Sequence, residues 1–230
     1  MLILSRHRCI IILMKLKLTD LRAYYINLHK EGKRGKATLR LLESLGFKSV
    51  TRSPGFIQDN FIIGSGAAYQ NVLISRYDKG DPFILFEDDI HLTHFDHIVS
   101  IPEDADAIYL GVSKMGNIGG KDEEKLLVGE VEGYPHLYRI YNMLATHAVV
   151  YLNMEYAKSA SEAAQKYLDK GLPHDLGIAE NLKNWNVYAF DKPMFIQYPK
   201  FRHYTDTPIS ELPNVEKINK INKWFKLNRG

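Results

Sequence analysis

The chain has 230 residues, 45% hydrophobic and 25% charged, which is ordinary for a globular protein and ample for a sizeable core. A net charge of +3 attracts anionic partners only weakly and does not by itself point to nucleic acid. The single cysteine, Cys9, excludes a disulfide within the chain and fits a reducing, cytoplasmic setting.

Residues 10–14 are apolar and follow the basic Arg6-His7-Arg8. This run is far short of the roughly 20 residues that span a bilayer, so no integral membrane segment is expected. It is also shorter than a signal-peptide core, and no small-residue cleavage site follows. Residues 1–14 read as a leader or a first strand, with Met14 as an alternative start. Ala23-Tyr24-Tyr25-Ile26-Asn27-Leu28 is apolar and β-rich, and the polar, basic residues 30–35 after it read as a loop. Leu39, Leu41, Leu42 and Leu45 recur at helical spacing, and Gly46 stops that helix. Residues 47–50 read as the next strand, so the chain opens β-loop-α-β, the start of a parallel sheet.

Gly64-Ser65-Gly66-Ala67-Ala68 reads as a turn entering a helix that runs through Ser75. Asp81-Pro82 turns the chain into Phe83-Ile84-Leu85-Phe86, a fully apolar run suited to a central strand. Ala107-Ile108-Tyr109-Leu110-Gly111 is a second such strand. Residues 113–133, rich in Gly and charge, read as a loop or weak hairpin. Strands are expected over residues 137–144, 148–152 and 186–190, with Pro193 just beyond the last. A helix is expected over 155–168, closed by Gly171. The 14 tyrosines read mostly as core and half-buried strand residues. No repeat or linker divides the chain. The expectation is a single α/β domain over residues 15–230, a mixed, mostly parallel sheet flanked by helices, with a basic tail over 214–230.

Glu87-Asp88-Asp89 follows the buried run directly. Two carboxylates 4 Å apart repel by about 4 kcal/mol at an effective dielectric of 20, and a bound dication removes that cost. Oxygen ligands select hard ions such as Mg²⁺ or Mn²⁺. Ligands of open α/β sheets gather outside the carboxyl ends of strands. Strand alternation sends Glu87 and Asp89 to one face and Asp88 to the other, so Glu87 and Asp89 could share a metal. If the chain turns at Asp88, then Asp88 and Asp89 share it instead. The competing readings are a solvated acidic turn, or a carboxylate capping a helix after Ile90.

Several segments, in order, resemble glycosyltransferase family 25, which includes lipopolysaccharide and procollagen galactosyltransferases. Tyr25-Ile26-Asn27-Leu28 with the following Arg34 resembles its I-N-L strand and arginine-bearing loop. Gly66-Ala67-Ala68-Tyr69-Gln70-Asn71 stands where the family has Gly-Cys-x-Leu-Ser-His. Residues 83–90 are similar to its "LILEDDV" strand, and residues 106–111 to its D-x-x-x-L-G strand. Ala145-Thr146-His147-Ala148 resembles its G-T-H-A, and Pro173-His174-Asp175 its P-x-D. The likeness spans most of residues 23–198. Gln70-Asn71 replaces the family's Ser-His and Ala145 its Gly, and little matches after 198.

The resemblance implies a GT-A fold and transfer of a sugar, with inversion, from a nucleotide diphosphate donor, a UDP-sugar first. Asp88 and Asp89 would hold Mn²⁺ or Mg²⁺, Asp89 ranking first, with Glu87 behind them or on the sugar. His203 is a candidate further ligand, against the reading of an ordinary loop histidine. Inversion needs a base on the acceptor side. Asp175 is the first choice and Glu180 the second, although Asp175 could also cap a helix over 176–182. Backbone near Tyr25 and Asn27 would hold the base, Arg34 a phosphate, and Gly66 would permit close approach.

Lys217, Lys220, Lys223, Lys226 and Arg229 alternate with Ile218, Ile221, Trp224 and Phe225. This pattern suits a basic amphipathic helix on anionic lipid, a grip on DNA phosphates, or a solvated final helix docked on the core. The acceptor is therefore left among glycan, glycolipid and protein, with a hydroxylated DNA base as the alternative. A non-catalytic nucleotide-sugar-binding module is the remaining alternative.

Overall fold

The structure, a computed structural model, describes residues 12–29, 32–118, 121–123, 125–197 and 205–218, with the backbone alone for 118 and 121–123. The chain runs through β1 (Leu13–Lys17), β2 (Arg22–Asn27), α1 (Lys33–Ser44), β3 (Val50–Pro54) and α2 (Phe61–Tyr77). Next come β4 (Phe83–Glu87), β5 (Ile90–Leu92), β6 (Ile98–Pro102), β7 (Ala107–Tyr109), β8 (Gly116–Ile118) and β9 (Lys121–Glu123). They are followed by β10 (Leu126–Val131), β11 (Tyr134–Ile140), β12 (Ala148–Tyr151), α3 (Met154–Leu168) and α4 (His174–Asn181). β13 (Val187–Phe190), β14 (Phe195–Gln197) and β15 (Val215–Lys217) complete the order.

Among the described residues, nine strands form one sheet in the order β15-β10-β11-β13-β7-β12-β4-β2-β3. The pairs β2–β3, β2–β4, β7–β13 and β10–β15 are parallel. The other four pairs are antiparallel, because β11 and β12 each run against both neighbours. The sheet is mixed as expected, but evenly divided rather than mostly parallel.

Strand alternation splits the core into two layers. Phe83 and Leu85 of β4 face one side, with Tyr69 and Leu73 of α2, Tyr156 and Ala160 of α3, and Ile178 of α4. Ile84 and Phe86 face the other, with Leu42 of α1, Val99 and Ile101 of β6, and Phe195 of β14. Each fully buried large side chain contributes roughly 1.5–3 kcal/mol. Several tyrosines are core: the hydroxyls of Tyr69 and Tyr151 hydrogen-bond at 2.8 Å, and Tyr151 stacks on Phe83.

Some boundaries differ from expectation for identifiable reasons. Gly64 and Gly66 lie inside α2 rather than in a turn before it. The helix starts at Phe61, where the Asn60 side chain accepts the Ile62 amide at 3.0 Å, a cap worth about 1 kcal/mol. The glycines serve packing: a Cβ on Gly64 would stand 2.5 Å from the Phe56 carbonyl, and one on Gly66 2.5 Å from Leu168 Cδ2. Close packing here outweighs the roughly 1 kcal/mol that each glycine costs a helix. Of the loop or weak hairpin expected over 113–133, β8 and β9 pair antiparallel as a small two-stranded sheet, but residues 126–131 are a strand of the large sheet, with Leu126, Leu127 and Val128 fully buried. The buried Asn142 side chain clamps that strand, accepting the Leu127 amide and donating to the Lys125 carbonyl. β3 begins at Val50, where the expected strand ended.

The expected leader overlaps β1, where Leu13 and Met14 pair with Pro102 and Ile101. Within the expected tail, Lys217 lies in β15 and pairs with Glu130, while Ile218 packs on Leu127 and Tyr141. Residues 219–230 of the tail lie outside the described residues. No helix among the described residues is long and apolar enough to cross a membrane.

α4 is held against α3 at Gly177, where an added Cβ would stand 2.2 Å from the Ala163 carbonyl oxygen. Gly177→Ala gains about 1 kcal/mol of helix propensity but forces two backbones apart. We expect a net destabilisation of about 1–3 kcal/mol by urea unfolding. An unchanged or raised midpoint would show that the seam is not tightly packed.

Candidate functional site

β4 is buried along its length until Glu87, and the chain then turns at Asp88-Asp89 into β5. No helix follows Ile90, so the three acids cap none. Each acid meets different surroundings. Glu87 continues the Phe83–Leu85 side of the strand. The Thr146 hydroxyl donates to its Oε1 at 2.8 Å, and the Gln197 amide donates to its Oε2. Both donors are delivered by neighbouring strands: β12 runs beside β4, and Gln197 of β14 pairs with Ile90. Burial first, then the charge of Asp89, pushes the Glu87 carboxyl up to about 8. Asp175 and Asp88 add to the rise, and the Thr146 hydrogen bond opposes it.

Asp88 points instead toward β2 and α1. Asn27 Nδ2 donates to its Oδ2 and Arg34 Nη2 to its Oδ1, each at 2.5 Å. The Thr38 hydroxyl donates to its carbonyl at 3.0 Å. The parallel register sets Ile26 opposite Glu87, which brings Asn27 beside Asp88. Arg52 of β3 fixes Asn27 from the other side, donating to its Oδ1 at 3.2 Å and its carbonyl at 2.8 Å. Gly35 makes room for this: a Cβ there would stand 2.5 Å from Asn27 Oδ1.

Asp89 meets the same guanidinium nitrogen, with Arg34 Nη2 3.0 Å from its Oδ2. Its Oδ1 is buried without a hydrogen-bond partner among the described residues. Burial, and next the Asp88 charge, raise its pKa, while Arg34 opposes them. One cationic nitrogen thus lies within 3.0 Å of oxygens from both aspartates. Arg34 sits in the first turn of α1, not in a loop, and that turn holds no acid. Cations at a helix N-terminus oppose its dipole by about 0.3–1 kcal/mol, so helix stability does not explain Arg34 there. Its side chain is 62% exposed, and ion pairs with so exposed a partner contribute about 0–1 kcal/mol.

Of the other expected residues, Asp175 lies in the first turn of α4, where its Oδ1 accepts the Leu176 amide at 3.0 Å. It is not the cap, a position that Pro173 holds. It is close enough to raise Glu87. Glu180 accepts the Tyr167 hydroxyl at 2.8 Å and lies 3.9 Å from Lys183 Nζ, which commits it to the α3–α4 seam. Tyr25 is buried under α1 among Leu42, Phe47 and Phe86, its pKa raised chiefly by burial. Gly66 offers no open cradle, because Leu168 and His174 close over it. His203 lies outside the described residues.

Thr38, Arg52, Thr146 and Gln197 hold the acids or their partners, and sequence reading assigned none of them a role. Of these, only Thr146 stood in a motif. The neighbouring His147 is buried and neutral, its pKa lowered to about 4 by burial, and its Nε2 lies 3.2 Å from the Phe195 carbonyl. Gly111 is required beside it, since a Cβ there would fall 1.8 Å from that nitrogen.

The residues fit a hard dication: two carboxylates converge on one cationic point, and one oxygen is orphaned. No group of three or more His, Cys, Asp or Glu side chains able to hold a metal occurs among the described residues. Two carboxylates completed by phosphate oxygens and water are the usual Mg²⁺ arrangement. No family model matches the chain, and no curated protein matches it.

The raised Glu87 has a thermodynamic consequence. Above its ordinary value of 4.5, the unfolded chain releases a proton that the folded chain keeps until about pH 8. Unfolding therefore becomes easier as pH rises through that window, by up to about 1.4 kcal/mol per unit. In chelator, Glu87→Gln should melt at about the wild-type temperature near pH 5 and several degrees higher at pH 8. Parallel Tm profiles for the two proteins would mean that Glu87 is not protonated in the fold.

Proposed function

We propose that the chain is a glycosyltransferase moving a sugar from a nucleotide diphosphate donor, a UDP-sugar first, to an acceptor hydroxyl. The observation that carries this reading is the convergence of Asp88 and Asp89 on one cationic point at the carboxyl end of a central strand. The ordered resemblance to glycosyltransferase family 25 supports it, since its "LILEDDV" strand falls on this turn.

Asp88 and Asp89 would hold Mn²⁺ or Mg²⁺, which when bound neutralises the diphosphate leaving group as a Lewis acid. Asn27 and Thr38 orient Asp88 from its carboxylate and its carbonyl. Glu87, uncharged at neutral pH, adds no third negative charge beside the pair. Asp175 takes the acceptor proton at its carboxylate, as inversion by single displacement requires. Its place at the start of α4 puts it on the Glu87 side of the sheet, away from Arg34. Glycan, glycolipid or protein hydroxyls remain the acceptor classes.

Thermal-shift screening of nucleotide sugars with Mn²⁺ identifies the donor, because a ligand of the folded state raises Tm. With that donor, wild type should release the sugar or transfer it. Asp89→Asn and Asp175→Asn should each lower kcat by about two orders of magnitude or more. Donor stabilisation should survive in Asp175→Asn and fall in Asp89→Asn. Unchanged turnover in Asp89→Asn defeats the metal assignment. Donor binding without any turnover in wild type makes the chain a binding module instead.

A further inference from the structure

Arg34 occupies the point on which the two aspartates converge. Its Nη2 stands 2.5 Å from Asp88 Oδ1 and 3.0 Å from Asp89 Oδ2, as a bound cation would. The two carboxylates are nearly closed off, at 16% and 12% exposure, while the Arg34 side chain is 62% exposed. The arginine can therefore swing into solvent without unpacking the core, whereas the carboxylates cannot follow it. Asn27 and Thr38 also hold Asp88, through contacts that do not involve Arg34. Lys33 and Lys36 flank Arg34 at the start of α1, so the solvent side of the site is positively charged and suited to an anion.

We infer that Arg34 is a resident counter-ion that exchanges with the dication. In the free protein it bridges Asp88 and Asp89 and screens their repulsion. When a divalent ion takes the pair, the guanidinium is released toward the mouth of the site and becomes available to the donor diphosphate. Dication and diphosphate then favour one another through Arg34 as well as by direct contact, a reciprocal coupling of two ligands. This rests on the proposed metal reading and adds to it an order of events. The metal-free site is occupied by its own arginine, and the phosphate-binding arginine is freed by metal binding.

The test uses the full chain without nucleotide. Manganese affinity is read from the loss of the free-ion electron paramagnetic resonance signal. Arg34→Gln removes the competitor and should bind Mn²⁺ on the order of tenfold more tightly than wild type. In wild-type protein, saturating Mg²⁺ should shift the Arg34 Nε–H nuclear magnetic resonance signal to that of a free, solvent-exposed guanidinium. Inorganic pyrophosphate added next should shift it again. The resonance needs no variant, so it decides the matter even if Arg34→Gln does not fold. It also separates exchange from a charge acting at a distance, which would leave the signal in place. Equal Mn²⁺ affinity in the two proteins, or an Arg34 signal unmoved by saturating Mg²⁺, overturns the exchange and leaves the metal reading standing. Absence of Mn²⁺ and Mg²⁺ binding in both proteins, with and without inorganic pyrophosphate, overturns the metal reading itself.

Discussion

Three consecutive carboxyl groups at the end of a buried strand repel one another, and the surroundings of β4 answer that repulsion differently at each. Glu87 is desolvated and next to Asp89, so it keeps its proton to about pH 8. Asp88 accepts hydrogen bonds at both carboxylate oxygens, from Asn27 and Arg34. Asp89 shares Arg34 and leaves Oδ1 unmet. Like charges crowded together are tolerated here because they are made unlike: one neutral, one saturated, one half-satisfied. Separating similar groups by their environments is how a site gives them separate work.

Holding three acids in three states draws in strands from both sides. β2 supplies Asn27, β12 leads out from Thr146, and β14 supplies Gln197. Close approach of these pieces depends on missing side chains. Asn27 can reach Asp88 only because Gly35 presents no Cβ to it, although the two lie in different elements. His147 can tie β12 to the Phe195 carbonyl only because residue 111 is glycine. The Leu-Gly and Thr-His segments thus have a common physical basis. One makes the space and the other fills it, and Phe195 leads into the strand that ends at Gln197.

The sequence was most legible where one physical signal dominated. The apolar run before Glu87 became β4, a central strand that buries all four side chains on its two faces. The leucine spacing ending at Gly46 became α1, and Gly46 stands at φ +83°, the left-handed turn that stops a helix. Legibility failed where tertiary packing reversed a local preference. Gly64 and Gly66 read as a turn, yet α2 needs them to approach Phe56, Leu168 and His174. Residues 126–131 carry Gly129 and Glu130, which broke the apolar pattern. The Gly129 site instead leaves room for the Tyr141 ring, since a Cβ there would stand 2.8 Å from its hydroxyl. In the site, the three acids and Arg34 were legible as charges. Thr38, Arg52, Thr146 and Gln197 were not, because an ordinary polar residue gives no sign of its partner until the fold sets them together.

The same asymmetry ranks the acids on the proposed reading. A ligand oxygen serves a metal best when it is ionised, aimed at the ion and not already committed. Glu87 fails first, since at neutral pH it carries a proton. Asp88 is firmly oriented, but Asn27 occupies one of its oxygens, so it offers the Oδ1 now facing Arg34. Asp89 offers that same kind of oxygen in Oδ2 and holds a second, buried Oδ1 without a hydrogen-bond partner among the described residues. A buried acceptor left unmet costs about 1–3 kcal/mol, more if charged, so Asp89 gains most from an incoming cation. Rigidity then divides the labour: Asp88 is the fixed post that sets where the ion sits, and Asp89 is the carboxylate whose energy the ion changes.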